Sequence, residues 1–277
     1  MPDLTDSFVL VTGATDGLGR GLAIELAAQD AVVLVHGRNR GRGEAVINEI
    51  TSSDGRCEWY EADLSSLARV RALAQRVAAK HQRLDALVNN AGIGIQDPGG
   101  GKRVESVDGY ELRFAVNYLA PYLLTRLLLP LLKSSAPSRI VNVASGGQSP
   151  IHFDDVMLEH DYDGWEAYGQ SKLALVSFTF DLADELKGTG VTATCLHPGT
   201  FMPTKMVIDA GIAPVDSLES GIEATMRLIA SQELEGKTGA YFVRTQESRA
   251  RSAAYDLDAR RRLRELSDRL VGFAGVS

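Results

Sequence analysis

Phe8-Val9-Leu10-Val11-Thr12-Gly13-Ala14-Thr15-Asp16-Gly17-Leu18-Gly19 is the stretch whose reading decides the fold. Its first four residues are apolar and long enough for one buried strand. Beyond the glycines, Leu18, Leu22, Ala23, Leu26 and Ala27 recur at helical spacing and lay an apolar stripe on one face. The glycines therefore occupy a strand-to-helix turn, where three positions need a residue without a Cβ. Gly13 permits the tight turn, Gly17 admits a ligand's phosphates to the backbone, and Gly19 lets helix and strand pack closely. The helix points unpaired N–H groups and its positive dipole end at the turn. Many loops carry three glycines, but in a strand–turn–helix context they read as a nucleotide site.

Outward from this stretch, short apolar runs alternate with helical patterns. Ala31 to Val35 reads as a second strand ending at His36-Gly37-Arg38, and a polar helix follows from about Gly41 to Ser53. Cys57 to Tyr60 is a third strand, after which Ser65 or Ser66 caps a helix running to about His81. Four more strands are expected at Leu84 to Val88, Arg139 to Ala144, Val191 to Leu196 and Ala240 to Val243. Between them lie a long helix containing Phe114 to Leu132, one from Trp165 to Lys187 stopped by Gly188 or Gly190, and one near Leu218 to Ser231. Asp256 to Val271 reads as a final helix with a basic face. The pattern predicts an α/β fold: a Rossmann-like, doubly wound, mostly seven-stranded parallel sheet with helices on both faces. No linker, repeat or low-complexity tract interrupts it, so residues 1–277 are read as a single domain. In such sheets the ligand lies beyond the carboxyl ends of the strands, and the motif residues after the first six strands all fall there.

Composition narrows the function. The net charge of -7 argues against nucleic acid, whose phosphates reward basic surfaces. With 44% hydrophobic residues the 277-residue chain can bury a substantial core. Cys57 and Cys195 share no metal-ligand spacing and read as inert thiols of a reducing compartment. The polar opening from Met1 to Ser7 carries no signal-peptide pattern. The most apolar stretch, Tyr118 to Leu132, is broken by Arg126 and two prolines and reads as too short to span a bilayer. A cytoplasmic protein without a membrane span is expected. The five histidines, His36, His81, His152, His160 and His197, form no metal set, so structural or solvated roles are expected and no metal site is assigned. Asp154, Asp155, Glu159, Asp161 and Asp163 do not follow an EF-hand spacing and read as a solvated acidic loop. Arg260, Arg261, Arg262 and Arg264, mixed with Asp256, Asp258, Glu265 and Asp268, read as a solvated helix face.

Tyr168 and Lys172 stand four apart on a helix and share a face. A tyrosine titrates near ~10, too high for a general base at neutral pH. An adjacent ammonium favours the phenolate, and a bound cationic nicotinamide favours it further. Ser145, at a strand end facing the same crevice, can hydrogen-bond a substrate oxygen. Alone, Tyr-x-x-x-Lys is a solvated helix face; beside Ser145 and the glycine turn on one sheet edge, the functional reading is preferred.

Thr12-Gly13-x-x-x-Gly17-x-Gly19, Asn89-Asn90-Ala91-Gly92, Tyr168-x-x-x-Lys172 and Pro198-Gly199, in that order, resemble the motifs of the short-chain dehydrogenase/reductase family over nearly the whole chain. The resemblance implies hydride transfer between a nicotinamide cofactor and a carbonyl or alcohol. It implies Tyr168 as the general acid in reduction, Lys172 as the group holding the nicotinamide ribose, Ser145 as the orienting hydroxyl, and Asn117 as the residue that kinks its helix and holds a relay water. It further implies cofactor contacts from Gly13, Thr15, Asp16, Gly17, Leu18, Gly19, Arg38, Asp63, Leu64, Asn90, Ala91, Gly92, Tyr168, Lys172, Pro198, Gly199 and Thr200. Phe153 to Leu175, with Tyr168-Gly-Gln-Ser171-Lys172-Leu173-Ala174, resembles the retinol-dehydrogenase-like and protochlorophyllide-reductase-like members. Family members commonly form dimers or tetramers through the helices containing Phe114 to Leu132 and Trp165 to Lys187. A homodimer or homotetramer is therefore expected, with a monomer as the alternative given the C-terminal extension over 245–277. The family's post-strand threonine stands four residues after the glycine, where this chain has Pro203, with Thr204 displaced by one.

Gly37 and Arg38 at the end of the second strand favour NADP(H) over NAD, since an acidic residue there would repel a 2′-phosphate and Arg38 attracts it. Asp16 in the glycine turn is a counter-signal. Phe153, Phe201, Met202, Met206 and Ile208 are expected near the pocket mouth and suggest an apolar ketone, aldehyde or alcohol, retinoid- or polyketide-like. Residues 199–215 read as a lid over this substrate. The alternatives are a carbon–carbon double-bond reductase of the same fold and a non-catalytic NADP-binding redox sensor.

Overall fold

The computed structural model describes residues 4–96 and 99–273. Eight strands form one sheet in the order β3-β2-β1-β4-β5-β6-β7-β8: β1 Phe8–Val11, β2 Val32–Gly37, β3 Arg56–Glu61, β4 Ala86–Asn89, β5 Ser138–Val143, β6 Val191–His197, β7 Ala240–Val243 and β8 Gln246–Ser248. Every pairing from β3 across to β7 is parallel, as the sequence predicts. Only β8 is antiparallel, turned back on β7 through Arg244, whose φ is 53°. Its three residues are polar and exposed, so no apolar alternation announces the strand.

The sheet is covered on both faces because its strands are apolar on both. Leu10, Leu34, Leu87 and Ile140 face one core, beneath α3 (Leu67–Lys80), α4 (Leu112–Ser134) and α5 (Gly164–Glu185). Their neighbours Val9, Val11, Val33, Val35, Val88 and Val141 face the other, beneath α1 (Gly17–Ala28) and α2 (Arg40–Ser52). Alternate residues leave a strand on opposite faces, so continuous apolar runs bury both. A short α6 (Lys205–Asp209) follows β6, α7 (Leu218–Ala230) joins the second core, and α8 (Leu257–Val271) closes the chain.

Three expectations need correction. Ser66 precedes α3 but makes no side-chain cap; the Asp108 carboxylate accepts from the Leu67 amide at 2.8 Å instead. The apolar stretch taken as too short for a bilayer belongs to α4, a 23-residue helix of sufficient length, but 78% of its most apolar window is buried inside the protein. Its apolarity is that of a core helix. The arginine-rich face of α8 is not solvated throughout: Arg260 is buried, donates to Asp184 at 2.5 Å and lies 3.7 Å from Asp181. Arg264 meets Asp181 at 2.9 Å, Tyr122 donates to Asp268 at 2.6 Å, and the Tyr118 and Ser267 hydroxyls lie 2.6 Å apart. These contacts dock α8 on α4 and α5. Residues 274–277 of the predicted extension lie outside the described residues.

Candidate active site

The glycine turn leaves β1 beside β4, and three side chains shape it. Thr12 is buried; its hydroxyl accepts from the Asn90 and Ala91 amides, both at 3.0 Å. Asn90 spends its side-chain amide on the Thr12 and Gly13 carbonyls at 2.9 and 3.2 Å, so its part is to brace the turn. Gly13 has φ 66°, and a Cβ there would lie 2.8 Å from the Ala91 Cα; Gly19 packs on the Gly13 carbonyl and the Asn90 side chain. Asp16 caps α1 by accepting from the Gly17 amide at 2.8 Å. The Leu18 and Gly19 amides belong to the first turn, where the helix supplies no acceptor. A cradle of glycines with free amides fits a dinucleotide pyrophosphate.

At the end of β2, Gly37 lies against Thr15, and Arg38 is exposed with its guanidinium making no hydrogen bond or ion pair among the described residues. The acidic counter-signal is answered locally. Arg42, in the first turn of α2, lies 3.3 Å from the Asp16 carboxylate and brings a second guanidinium to the same rim. Sequence reasoning passed over Arg42 because only the tertiary approach of α2 to the turn reveals it. Leu64 is buried in the first core, and Asp63 is exposed, its carboxylate accepting from Ser65 at 2.9 Å.

The four residues expected to carry chemistry converge at the carboxyl ends of β4 and β5. The helix α4 contains a π-helical stretch over Ala115–Leu119, within which Asn117 lies. Asn117 is fully buried; it accepts from the Ile93 amide at 2.8 Å and donates to the Ile93 carbonyl and Ser171 hydroxyl, both at 3.1 Å. A Cβ on Gly92 would lie 3.3 Å from Asn117 Oδ1 and 3.5 Å from Lys172 Nζ. Lys172 is buried, donates to the Val143 carbonyl at 3.0 Å, and its Nζ lies 5.7 Å from the Tyr168 ring centre. Burial pushes its pKa down from 10.5 to about 8. Gly147 sits between the Ser145 hydroxyl, 3.6 Å from its built Cβ, and the Tyr168 ring, at 3.8 Å. Ser145 is itself held, since Gln148 and Tyr241 donate to its carbonyl at 2.8 and 3.1 Å. Gly169 allows this loop to lie on α5 beside Tyr168, because a side chain there would strike Ser149.

Tyr168 departs from expectation. Its pKa is raised, because burial outweighs the hydrogen bond from Ser145 that favours the phenolate. Lys172 lies near the Tyr168 ring and donates to the Val143 carbonyl, and burial remains the larger influence on the phenol. Burial holds the phenol protonated.

Pro198 and Gly199 are buried after β6, while Thr200 is exposed, its amide donating to Asp216 at 2.7 Å and its hydroxyl 3.1 Å from His197. The segment beyond crosses the crevice: Thr204 contacts the glycine turn, its Cγ2 2.9 Å from a Cβ built on Gly17, and Met206 Cγ lies 2.5 Å from one built on Gly94. Phe201 and Ile208 are exposed on this segment. Two of the expected pocket residues lie elsewhere. Met202 is buried against Gly221 in the second core, and the Phe153 ring lies 4.4 Å beneath the Arg262 guanidinium of α8. Apolar character at those positions is used for packing.

A parallel sheet with a glycine turn at its carboxyl end and, beside it, buried Ser145 and Lys172 with half-buried Tyr168 defines a nicotinamide-dependent oxidoreductase acting on CH–OH or C=O groups. Residues 7–212 match the short chain dehydrogenase family, and this chain belongs to it as a retinol-dehydrogenase-like member. It is 38% identical to human retinol dehydrogenase 14, the match covering 95% of this chain and 86% of that protein. Among solved structures, it resembles an uncharacterized protein from Mycobacterium paratuberculosis with a TM-score of 0.80, 31% identity and 98% and 96% of the two chains covered. A Shigella flexneri short chain dehydrogenase complexed with NADP has a TM-score of 0.71 and 26% identity, with 89% of this chain and 100% of that chain covered.

Proposed function

We propose that the protein is an NADP(H)-dependent carbonyl reductase or alcohol dehydrogenase for a largely apolar substrate. The convergence of Ser145, Tyr168 and Lys172 beside the glycine cradle carries this reading. When bound, the nicotinamide exchanges hydride with the substrate carbon. The first-turn amides of α1 would hold the pyrophosphate, and Arg38 and Arg42 the 2′-phosphate. Ser145 holds the carbonyl oxygen and the half-buried, protonated Tyr168 gives that oxygen a proton. Lys172 would hold the ribose hydroxyls, and Asn117 fixes the Ile93 backbone. Residues 199–215 act as the lid, with Thr204 and Met206 on the two glycine-bearing walls and apolar Phe201 and Ile208 near the entrance. The retinol dehydrogenases among its relatives support an apolar alcohol or aldehyde.

Docking of α8 on α4 and α5 covers the helix pair through which family members were expected to associate, and we assign a monomer. Light scattering that gives twice or four times the 29.8 kDa chain mass would overturn this. Free thiols at Cys57 and Cys195 fit a reducing, cytoplasmic setting. The functional test is NADPH oxidation with ketones, aldehydes and polycyclic quinones beside a Tyr168→Phe control. Turnover that falls by roughly 10²–10⁴ in the variant, with NADPH binding retained, is the expected outcome. Tight NADPH binding without turnover of any carbonyl refutes the carbonyl chemistry.

A further inference from the structure

His36 is a polar residue in an otherwise apolar strand, it is buried to 2% exposure, and the reaction as drawn above does not use it. Its ring joins two loops. Nδ1 lies 3.2 Å from the Gly13 amide and accepts its hydrogen, while Nε2 lies 3.2 Å from the Ala62 carbonyl. The His36 carbonyl also accepts from the Ala14 amide at 2.8 Å. Ala62 immediately precedes Asp63 and Leu64, two of the residues expected to contact the cofactor. Gly13 and Ala14 begin the turn expected to cradle the pyrophosphate.

Both ring contacts require one tautomer, with hydrogen on Nε2 and a lone pair on Nδ1. In that form the ring takes the Gly13 amide, as the His36 carbonyl takes that of Ala14. On its other side Gly13 meets Ala91, so the residue is wedged between the ring of β2 and the end of β4. A displacement of Gly13 would carry Ala14 to Gly19 with it.

We infer that His36 is a positioning residue for the cofactor: by taking the Gly13 amide, with its ring oriented by the Ala62 carbonyl, it fixes the start of the pyrophosphate cradle, and so determines NADPH affinity. The inference rests on the glycine turn being the NADP(H) site. It predicts a dependence on one specific bond, which mere filling of the core would not produce. Asn places an acceptor where Nδ1 stands and keeps the Gly13 contact. Gln places a donor where Nε2 stands and keeps the Ala62 contact. Leu keeps neither.

The experiment is fluorescence titration of NADPH into the wild-type chain and the His36→Asn, His36→Gln and His36→Leu variants, with the thermal midpoint of each measured in parallel. His36→Asn should bind within about threefold of wild type, and His36→Gln and His36→Leu about tenfold or more weaker, the effect of one lost hydrogen bond. Equal affinity in the Asn and Gln variants would overturn the inference, as would affinities that simply follow the thermal midpoints. Should His36→Leu fail to fold, the contrast between Asn and Gln still decides. A wild-type chain that does not bind NADPH would refute the cofactor assignment itself, which is a different result from wild-type binding that His36 variants leave unchanged.

Discussion

Replacing Lys172 with Met should make the protein more stable while abolishing its reaction. The Lys172 ammonium is buried, has the Val143 carbonyl at 3.0 Å as its one hydrogen-bond partner among the described residues, and is pushed by burial from 10.5 down to about 8. The folded chain therefore binds this proton less tightly than the unfolded chain. A depression of about 2.5 units corresponds to about 3 kcal/mol of stability forgone at pH 7. The sign follows from proton uptake: between pH 8 and 10.5 the unfolded state binds the extra proton, so this penalty fades as pH rises through that window. Methionine removes the charge and nearly keeps the volume, giving up one hydrogen bond of about 1 kcal/mol. The net expectation is a gain of about 2 kcal/mol at pH 7, or about 5 °C in Tm for a chain of this size. Urea unfolding of both proteins from pH 7 to 10.5 tests it, because the difference between them cancels the titration of tyrosines and cysteines. The variant should lead at pH 7 and lose that lead toward pH 10.5. A variant less stable than wild type at pH 7, or a difference flat across the window, would refute the account of Lys172 as a strained, functional charge. Such a cost is what a site selected for chemistry carries.

The remaining expectations concern the cofactor rim, the core and the C-terminal helix. Arg38→Ala and Arg42→Ala should each raise the NADPH dissociation constant by roughly 10- to 100-fold and leave NADH nearly unchanged, as calorimetry would show, since each removes a charge-assisted bond to a 2′-phosphate; equal effects on both nucleotides would exclude the role. Burial holds the His36 pKa near 4, with Arg76 also lowering it and Asp63 and the Ala62 carbonyl raising it. Because the unfolded state takes up that proton first, wild type should lose about 3 kcal/mol between pH 6.5 and 4, and His36→Asn should not, by urea midpoints at each pH. Arg260→Ala leaves Asp184 without its α8 partner and Asp181 with Arg264 alone, and should cost about 2 kcal/mol in thermal unfolding, with a smaller loss for Arg261→Ala, whose pair with Asp258 is exposed.

Local chemistry made most of the fold legible. Continuous apolar runs at β1, β2, β4 and β5 could only be strands buried on both faces, and the glycine turn could only stand between a strand and a helix. The same periodicity placed Ser145, Tyr168 and Lys172 at one sheet edge, because position in an alternating α/β chain determines which end of the sheet a residue occupies. What spacing along the chain cannot encode is which distant groups meet. The cap of α3 comes from Asp108, 41 residues away, and Arg42 reaches Asp16 across the β2 strand. His36 looked like one more buried histidine until the fold put Gly13 and Ala62 on its two nitrogens. The arginines of α8 looked solvated until Asp181 and Asp184 were found beneath them. The charge state of the site was also a tertiary matter: helical spacing brings Lys172 near Tyr168, but burial decides that the phenol stays protonated. Sequence settles what is periodic and local; desolvation and contacts between remote segments exist only once the chain has closed on itself.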